Sequence, residues 1–264
     1  NKFNGYRNID IDIEDTLVKV TTDTNTINNR GNLNLKNTTV EGTTKYGVHN
    51  GNNSKLTLDS NSVIKADSNY GLYNASNIKL STGTIQGIFN EGIIELEKDI
   101  NVTGKTYGNN QIIHNIVNNG TITMNGGTIT STLNAYMIEN RGTFNFNEGT
   151  LSSVNTAIYN YQGTLNVNGS VIHSTSNTIT SYSGTINVNG GTVESTNSTA
   201  ISGSAGIYVN NGLVTGVTGI DSQNVTVTGG KIEATNVGIV TQNATIKGGE
   251  IIGGVTGIQI HNGS

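Results

Sequence analysis

The sequence predicts an all-β solenoid, a parallel β-helix of about twelve coils with three short strands in each coil. Three observations lead to this fold class. The phrase Gly-Thr-apolar-Asn-apolar-Asn begins at Gly142 and returns from Gly163 and Gly184. Segments in which apolar and polar residues alternate recur at intervals of about 20 residues. Charged residues make up only 12% of the chain, well below the usual share of about 25%, whereas Gly, Asn, Thr and Ser are abundant.

The first predicted strand of each coil is an apolar-x-apolar segment such as Phe144-Asn-Phe146 or Ile186-Asn-Val188. Such alternation is typical of a strand that buries one face. We therefore align the coils on the first apolar residue of this strand. The anchors are Leu33, Leu56, Ile78, Ile94, Ile122, Phe144, Leu165, Ile186, Ile207, Val225 and Ala244.

A glycine-rich corner and a second strand follow the first strand. One glycine column is expected to adopt positive φ, which glycine does without steric cost. Its members are Gly127, Gly149, Gly191, Gly212, Gly230 and Gly249. The second strand carries an inner apolar column of Ile129, Leu151, Ile172, Val193, Val214, Ile232 and Ile251. Small residues after this column, from Ser131 to Gly253, suit a narrow corner of the interior.

The third predicted strand ends on asparagine, as in Val48-His-Asn50 and Leu72-Tyr-Asn74. Asparagine tolerates tight bends, and its amide can bond to counterparts in the coils above and below. The sequence therefore predicts a stacked asparagine ladder at this corner. Its predicted members are Asn50, Asn74, Asn90, Asn115, Asn140 and Asn160.

A single domain over residues 1–264 follows from the repeat, because a coil cannot bury its apolar face alone and must stack on its neighbours. A β-sandwich of short strands is the alternative, which the single period disfavours. The short interval from Ile78 to Ile94 predicts a tightened coil, and the long interval from Ile94 to Ile122 predicts a loop excursion around residues 105–110. The chain begins without Met and ends inside a repeat phrase, so we expect a fragment of a longer exported protein.

The repeat phrase and the asparagine column resemble those of right-handed parallel β-helices. They are similar to repeats in the passenger domains of bacterial autotransporter adhesins, and the ladder resembles that of the pectate-lyase-like fold. The resemblance covers nearly the whole chain and is architectural. It implies a right-handed helix in an elongated, extracellular protein of the bacterial surface, usually an adhesin.

Charge and composition exclude several function classes. The net charge is −4 and the basic residues form no stripe, so no nucleic-acid partner is expected. No apolar run reaches the length of about 18 residues that a membrane helix needs, so no membrane insertion by this segment is expected. The chain has no cysteine and its four histidines are dispersed, so we expect no metal and no cofactor.

Enzymes that share the parallel β-helix fold set a clear requirement for carboxylates. Polygalacturonases need clustered acids, and pectate lyases need a calcium site and a basic residue. The acids of this chain fall in different columns, and the motifs Asn-Thr-Asp, Asp-Asp, Gly-His-Gly and Arg-x-Lys do not occur. The sequence therefore predicts no enzymatic activity, with a polysaccharide-degrading enzyme as the alternative.

One acidic cluster lies near the start of the chain, where Ile alternates with acidic residues from Ile9 onward. Alternation places Asp10, Asp12 and Glu14 on one face of a strand. They would form either a Ca²⁺ site or a charged opening strand that discourages edge-to-edge pairing. The charged strand is favoured, because side chains two residues apart on a strand lie about 6.6 Å apart.

The residue before each corner asparagine points outward and is often aromatic. In four coils it is predicted to be His49, Tyr73, Phe89 and His114. Rings exposed along a rod can hold sugars or anchor a protein partner, and Tyr107 in the predicted excursion would add polar contacts. We therefore predict a ligand-binding surface from these residues. In the alternative interpretation, neighbouring rings only stack on one another and stabilise the sheet.

These observations predict a non-enzymatic segment of a bacterial surface adhesin. Its expected partner is a glycan or protein of a host or bacterial surface. A passive structural stalk is a further alternative. The expected location is extracellular, at the bacterial cell surface.

Overall fold

The computed structural model of the protein describes residues 9–104, 114–132 and 136–261. Over these residues the chain forms an all-β parallel solenoid of about 11 turns, and no helix occurs among them. The strands pair in parallel with the equivalent strands of neighbouring coils, except at one interface of the first sheet. The predicted fold class, a parallel β-helix with three strands in each coil, is thereby confirmed.

Short strands form the first coils, and longer ones pass through the corners of later coils. The first strands are β1 (Asp10–Glu14), β2 (Leu17–Lys19), β3 (Ile27–Asn29), β4 (Asn32–Lys36), β5 (Thr39–Gly42), β6 (Val48–Asn50), β7 (Lys55–Leu58), β8 (Val63–Ala66), β9 (Leu72–Asn74), β10 (Asn77–Gln86) and β11 (Ile88–Asn90). The middle strands are β12 (Ile93–Thr103), β13 (Ile116–Asn118), β14 (Thr121–Ser131), β15 (Ile138–Asn140), β16 (Thr143–Ser153), β17 (Ile158–Asn160), β18 (Thr164–Val167) and β19 (Val171–Ser174). The last strands are β20 (Ile179–Ser181), β21 (Thr185–Val188), β22 (Thr192–Ser195), β23 (Thr199–Val209), β24 (Leu213–Val227), β25 (Lys231–Ile246), β26 (Glu250–Gly253) and β27 (Thr256–Ile260).

The first sheet contains the strands that carry the aligned apolar anchors. β1, β4 and β7 form a separate three-stranded part, with Ile11 beside Leu33 and Leu33 beside Leu56. From β10 onward the anchors pair in register from Ile78 to Ala244. No backbone pairing joins β7 to β10, although every residue of both strands is described. The anchor alignment is confirmed wherever these strands pair.

The glycine column after the first strand has the backbone conformation that the sequence predicts. From Gly127 to Gly249 its φ values lie between 69° and 102°. At Gly191 an added Cβ would lie 2.3 Å from the carbonyl oxygen of Ser170 in the preceding coil. Positive φ and this close approach together require glycine. The inner column of the second strand also pairs in the predicted register.

The third sheet departs from the predicted register in one coil. Asn90 pairs with Asn118, so Asn118 occupies the corner column and the predicted member Asn115 is wrong. The third strand of this coil, β13, begins later than the sequence alignment assumed. The spacing of the corner explains why Asn118 rather than Asn115 occupies the column. Asn118-Asn-Gly120 leads into the next first strand just as Asn90-Glu-Gly92 does.

The tightened coil predicted after Ile78 is found at the corner between the second and third strands. Gly87 alone, with φ of 79°, separates the end of β10 from the start of β11. The excursion predicted around residues 105–110 lies outside the described residues.

The core consists of apolar columns that run along the solenoid. Ile, Leu and Val fill most positions, and the rings of Phe144 and Phe146 stack with centroids 4.1 Å apart. Each fully buried side chain of this kind contributes about 1.5–3 kcal/mol through the hydrophobic effect. Because side chains alternate along a strand, the residues on either side of a buried one point to the outer surface. The core therefore determines which side chains can meet a ligand.

Candidate functional site

A ladder of buried asparagines fixes the corner beside the candidate site. Each amide except the last donates from Nδ2 to Oδ1 of its counterpart in the next coil, at 2.7–3.0 Å, and the last, Asn160, donates to the carbonyl oxygen of Gly163. Because buried polar groups are costly without hydrogen bonds, a complete ladder holds the coils in register. The ladder comprises Asn29, Asn50, Asn74, Asn90, Asn118, Asn140 and Asn160.

The residue before each ladder asparagine lies on the outer face of the third sheet. β6, β9 and β11 place His49, Tyr73 and Phe89 there in register. The rings of His49 and Tyr73 stack with centroids 4.4 Å apart, and Tyr73 stacks on Phe89 at 5.8 Å. The structure therefore brings together three of the predicted site residues. Their mutual stacking is also the geometry that the sheet-stabilising alternative requires.

Two further tyrosines complete this group of rings. Tyr46 lies 5.2 Å from Tyr73, and Tyr70 meets Phe89 edge-on at 5.7 Å. We name Tyr46, His49, Tyr70, Tyr73 and Phe89 aromatic cluster 1. The sequence analysis missed Tyr46 and Tyr70, whose signal is a shared position shortly before the third strand of their coils.

A carboxylate anchors the centre of aromatic cluster 1. The Tyr73 hydroxyl donates a hydrogen bond to Glu91, at the corner after β11. This bond, assisted by partial burial of the ring, raises the pKa of Tyr73 to about 12. The phenol therefore stays neutral, and its ring stays fixed, across the physiological pH range.

His114 does not belong to aromatic cluster 1. Phe89 pairs with Val117, whose side chain is buried, so the predicted place of His114 in the outward column is wrong. His114 instead precedes β13. Its Nδ1 lies 2.7 Å from the carbonyl oxygen of Tyr136, and its Nε2 lies 3.1 Å from Oε2 of Glu139.

A second group of rings extends along the same face beyond Val117. Neighbouring rings of this group have centroids 4.8–6.2 Å apart. Tyr182 is 60% exposed and Tyr136 is 40% exposed, so this group is open to solvent at both places. We name it aromatic cluster 2; its members are His114, Tyr136, Tyr159, Tyr161 and Tyr182.

Charged groups brace aromatic cluster 2. The Arg141 guanidinium lies 5.4 Å from the centroid of the Tyr161 ring, in a cation–π contact. Its Nη2 is 2.6 Å from Oε1 of Glu139, which also faces His114. Partial burial raises the pKa of Tyr159. The cluster is therefore held by charge and stacking together.

The two clusters give the third sheet a rigid aromatic outer face. Rings that are already held by their neighbours lose little conformational freedom when a ligand binds. Tyrosine adds a hydroxyl that can both donate and accept a hydrogen bond. Tyr107, the remaining predicted site residue, lies outside the described residues.

The carboxylates of the acidic opening strand β1 each have a separate partner. Each carboxylate faces a single donor from the next coil, which is the arrangement expected of a charged edge strand. No group of three or more metal-binding side chains lies together among the described residues. The pairs are Asn32–Asp10 at 2.5 Å, Asn34–Asp12 at 2.7 Å and Lys36–Glu14 at 2.5 Å.

Comparison with known proteins gives no relative from which to transfer a role. No protein-family model matched the chain, and searches of curated proteins and of solved structures gave no significant match. Within the described part of the chain, no helix is long and apolar enough to cross a membrane. The grounds for inferring function are therefore the parallel β-solenoid and the chemistry of its outer faces.

Proposed function

We propose that the chain is a non-enzymatic attachment segment of a bacterial surface adhesin, which binds a glycan or a protein outside the cell. The observation that carries this proposal is the aromatic outer face of the third sheet. Most of the ten tyrosines of the chain belong to aromatic clusters 1 and 2. The core does not use these rings, so core packing does not explain their concentration on one face.

Ring geometry supports a binding role for this face. Aromatic side chains bury a large apolar area at low entropic cost, and they carry much of the energy of known interfaces. The stacked rings hold fixed positions, and the largely exposed Tyr182 leaves contact area available at the end of its column. A long ligand would lie along the solenoid axis, where successive rings repeat at about 4.8 Å.

A passive stalk is the second candidate function, and the same stacking favours it. Rings such as His49 and Tyr73 already stack on one another, and the buried asparagine ladder stiffens the rod. A stalk needs these contacts for rigidity and needs no ligand. The two functions therefore predict different effects of removing the rings. An attachment segment would lose ligand binding, whereas a stalk would lose only stability.

The deciding experiment is a screen of the purified chain against glycans and surface proteins, followed by the double substitution Tyr73→Ala and Phe89→Ala. If these rings are anchors, the affinity falls by about 2 kcal/mol or more, roughly thirtyfold. Tyr208→Ala is the matched control, because Tyr208 is an exposed ring on the first sheet.

Other outcomes of this experiment separate the alternatives. Unchanged binding by the double variant would show that the rings do not bind the ligand. Early melting of that variant, together with no ligand in the screen, would favour the stalk. Release of reducing or unsaturated sugars from a polysaccharide would favour an enzyme.

A further inference from the structure

A groove crosses the corner between the third and first sheets, around the edge from aromatic cluster 1. Its volume is about 650 Å³, and residues 52–55, 75–77, 92 and 93 line it. A second cleft of about 360 Å³ adjoins it, and Lys55 and Asn77 border both. Ligand sites commonly have volumes of about 300–1,000 Å³, so this corner groove is large enough for a short peptide or oligosaccharide.

Unequal corner lengths create the groove. Residues 51–54 separate β6 from β7, whereas only Ala75 and Ser76 separate β9 from β10. Asn53, with φ of 59°, turns the longer corner outward into a wall. On the opposite side of the groove, a Cβ on Gly92 would lie 2.2 Å from the carbonyl oxygen of Ser76, so only glycine fits there. With no side chain at this position, that side of the groove stays shallow. The backbone conformation of these corners therefore determines the shape of the groove.

The serines that line the corner groove are hydrogen-bonded, whereas the side chains of its asparagines and its lysine are free within the described structure. Asn52, Asn53 and Asn77 are exposed, and their amides make no hydrogen bond to any described residue. The Lys55 ammonium likewise makes no ion pair with the described part of the chain. No carboxylate lines the larger groove, and Glu95 of the adjoining cleft pairs with Lys79 at 3.8 Å.

One series of outward asparagines on the solenoid is bonded, unlike the amides of the groove. At the corner between the first and second strands, side-chain amides bond from coil to coil at 2.8–2.9 Å. Free amides also occur elsewhere, as at Asn119, but the groove brings three of them together, from Asn52, Asn53 and Asn77. The bonded series comprises Asn125, Asn147, Asn168, Asn189 and Asn210.

An aliphatic ledge lies beside these polar groups. Ile93 is 43% exposed and pairs in register with Asn77 and Thr121. Its outward column is otherwise built from polar residues and one glycine, including Asn32, Asn77, Thr121, Thr143, Thr164, Thr185, Gly206 and Asn224. An exposed isoleucine at this position is not needed by the core.

We propose that the corner groove binds an extended peptide that carries a carboxylate two residues from an aliphatic side chain. Lys55 pairs with the carboxylate, the amides of Asn52, Asn53 and Asn77 bond to the peptide main chain, and Ile93 contacts the aliphatic side chain. Lys55 and Ile93 lie two coils apart, about 9.6 Å at about 4.8 Å per coil, with Asn77 between them. Side chains on one face of an extended peptide recur at about 6.6 Å, and the flexible Lys55 side chain bridges the difference. A sugar chain fits less well, because the groove offers no aromatic face for a ring to stack on.

The test is an NMR titration of the ¹⁵N-labelled chain with the end-blocked peptide Gly-Glu-Ser-Val-Gly. We expect shifts confined to residues 52–55, 75–77 and 93. Replacing Glu by Gln in the peptide, or Lys55→Glu in the protein, should weaken binding at least tenfold. Lys247→Glu is the matched control, because Lys247 is exposed and makes no ion pair among the described residues; this variant should bind as the native chain does.

Three results would overturn the proposal: equal affinity for the Gln peptide, unchanged affinity after Lys55→Glu, or no shift at millimolar peptide. If an acidic oligosaccharide shifts the same residues and the peptide does not, the occupant is a glycan and the peptide assignment fails. The outcome is independent of the adhesin proposal, because Tyr73→Ala with Phe89→Ala leaves this groove intact.

Discussion

At the scale of single residues, the buried asparagine ladder shows what each member contributes. Asn118 donates to Asn140 at 2.9 Å and accepts from Asn90 at 2.9 Å, and its side chain is fully buried. Truncating it leaves both neighbours short of a partner in a place that water does not reach. An unmade hydrogen bond of this kind costs about 1–3 kcal/mol.

We therefore expect Asn118→Ala to lower the free energy of unfolding by about 2 kcal/mol or more, since it also removes buried atoms. Urea unfolding followed by circular dichroism measures the change. Asn119→Ala is the control, because Asn119 is exposed and makes no side-chain hydrogen bond among the described residues. Equal losses in the two variants would mean that the ladder does not stabilise the fold.

Tyr73 gives a prediction about alkaline pH. Its pKa is about 12 in the folded chain, chiefly through the hydrogen bond to Glu91, against an ordinary value of 10.0. The folded state therefore keeps a proton that the unfolded state loses, so this contribution to stability is complete below pH 10 and is lost as the pH rises to 12. Glu91→Gln should bring the titration of Tyr73 closer to 10.

Phenolate absorbance measures this titration, with Tyr73→Phe identifying which part of the curve belongs to Tyr73. A Tyr73 titration that Glu91→Gln leaves unchanged would contradict the role assigned to the carboxylate.

At the scale of strands and corners, the sequence predicted most registers because alternation and glycine placement are local signals. The first-strand anchors and the positive-φ glycines follow from them directly. The coil that contains His114 was misjudged because two triplets, Ile113-His-Asn115 and Ile116-Val-Asn118, fit the same pattern. The two-residue corner before the next first strand, as after Asn90 and Asn140, distinguishes them.

The candidate site was predictable only in part, for a physical reason. Sequence alternation places His49, Tyr73 and Phe89 on the outer face, as the structure finds. It does not reveal contacts between residues in different columns, such as Tyr46 with Tyr73. Those contacts depend on corner geometry, which varies from coil to coil.

The glycine corner itself yields a prediction. Gly191 has φ of 69°, and an added Cβ would lie 2.3 Å from the Ser170 carbonyl oxygen. Gly191→Ala therefore combines an unfavourable backbone conformation with a clash, and we expect it to cost about 2 kcal/mol or more. Gly206→Ala is the control, because the nearest atom to its added Cβ is 3.4 Å away on the flexible Tyr208 side chain. Comparable melting temperatures for the two variants would contradict this account.

At the scale of the whole molecule, the solenoid is a rod whose coils contact only their neighbours. Eleven turns at about 4.8 Å each give a length near 50 Å. In such a rod stability is roughly a sum of coil and interface terms, so a weak interface opens locally. The interface between β7 and β10 is the weak one, because the first sheet is interrupted there while the second and third sheets continue.

Hydrogen exchange should therefore be uneven along the rod. Some amides of β7 and of residues 77–80 are not bonded to β4 or β12, and these amides lack backbone partners. We expect them to exchange at least tenfold faster than amides of β12 and β14, because those two strands pair on both sides. Leu72, at the same level in the continuous third sheet, is the internal control and should stay protected. The core beneath the break is intact, with Leu56 and Ile78 buried, so the fast exchange should reflect local opening and remain unchanged by small amounts of urea. Protection at the break equal to that in β12 would show that the first sheet is continuous in solution.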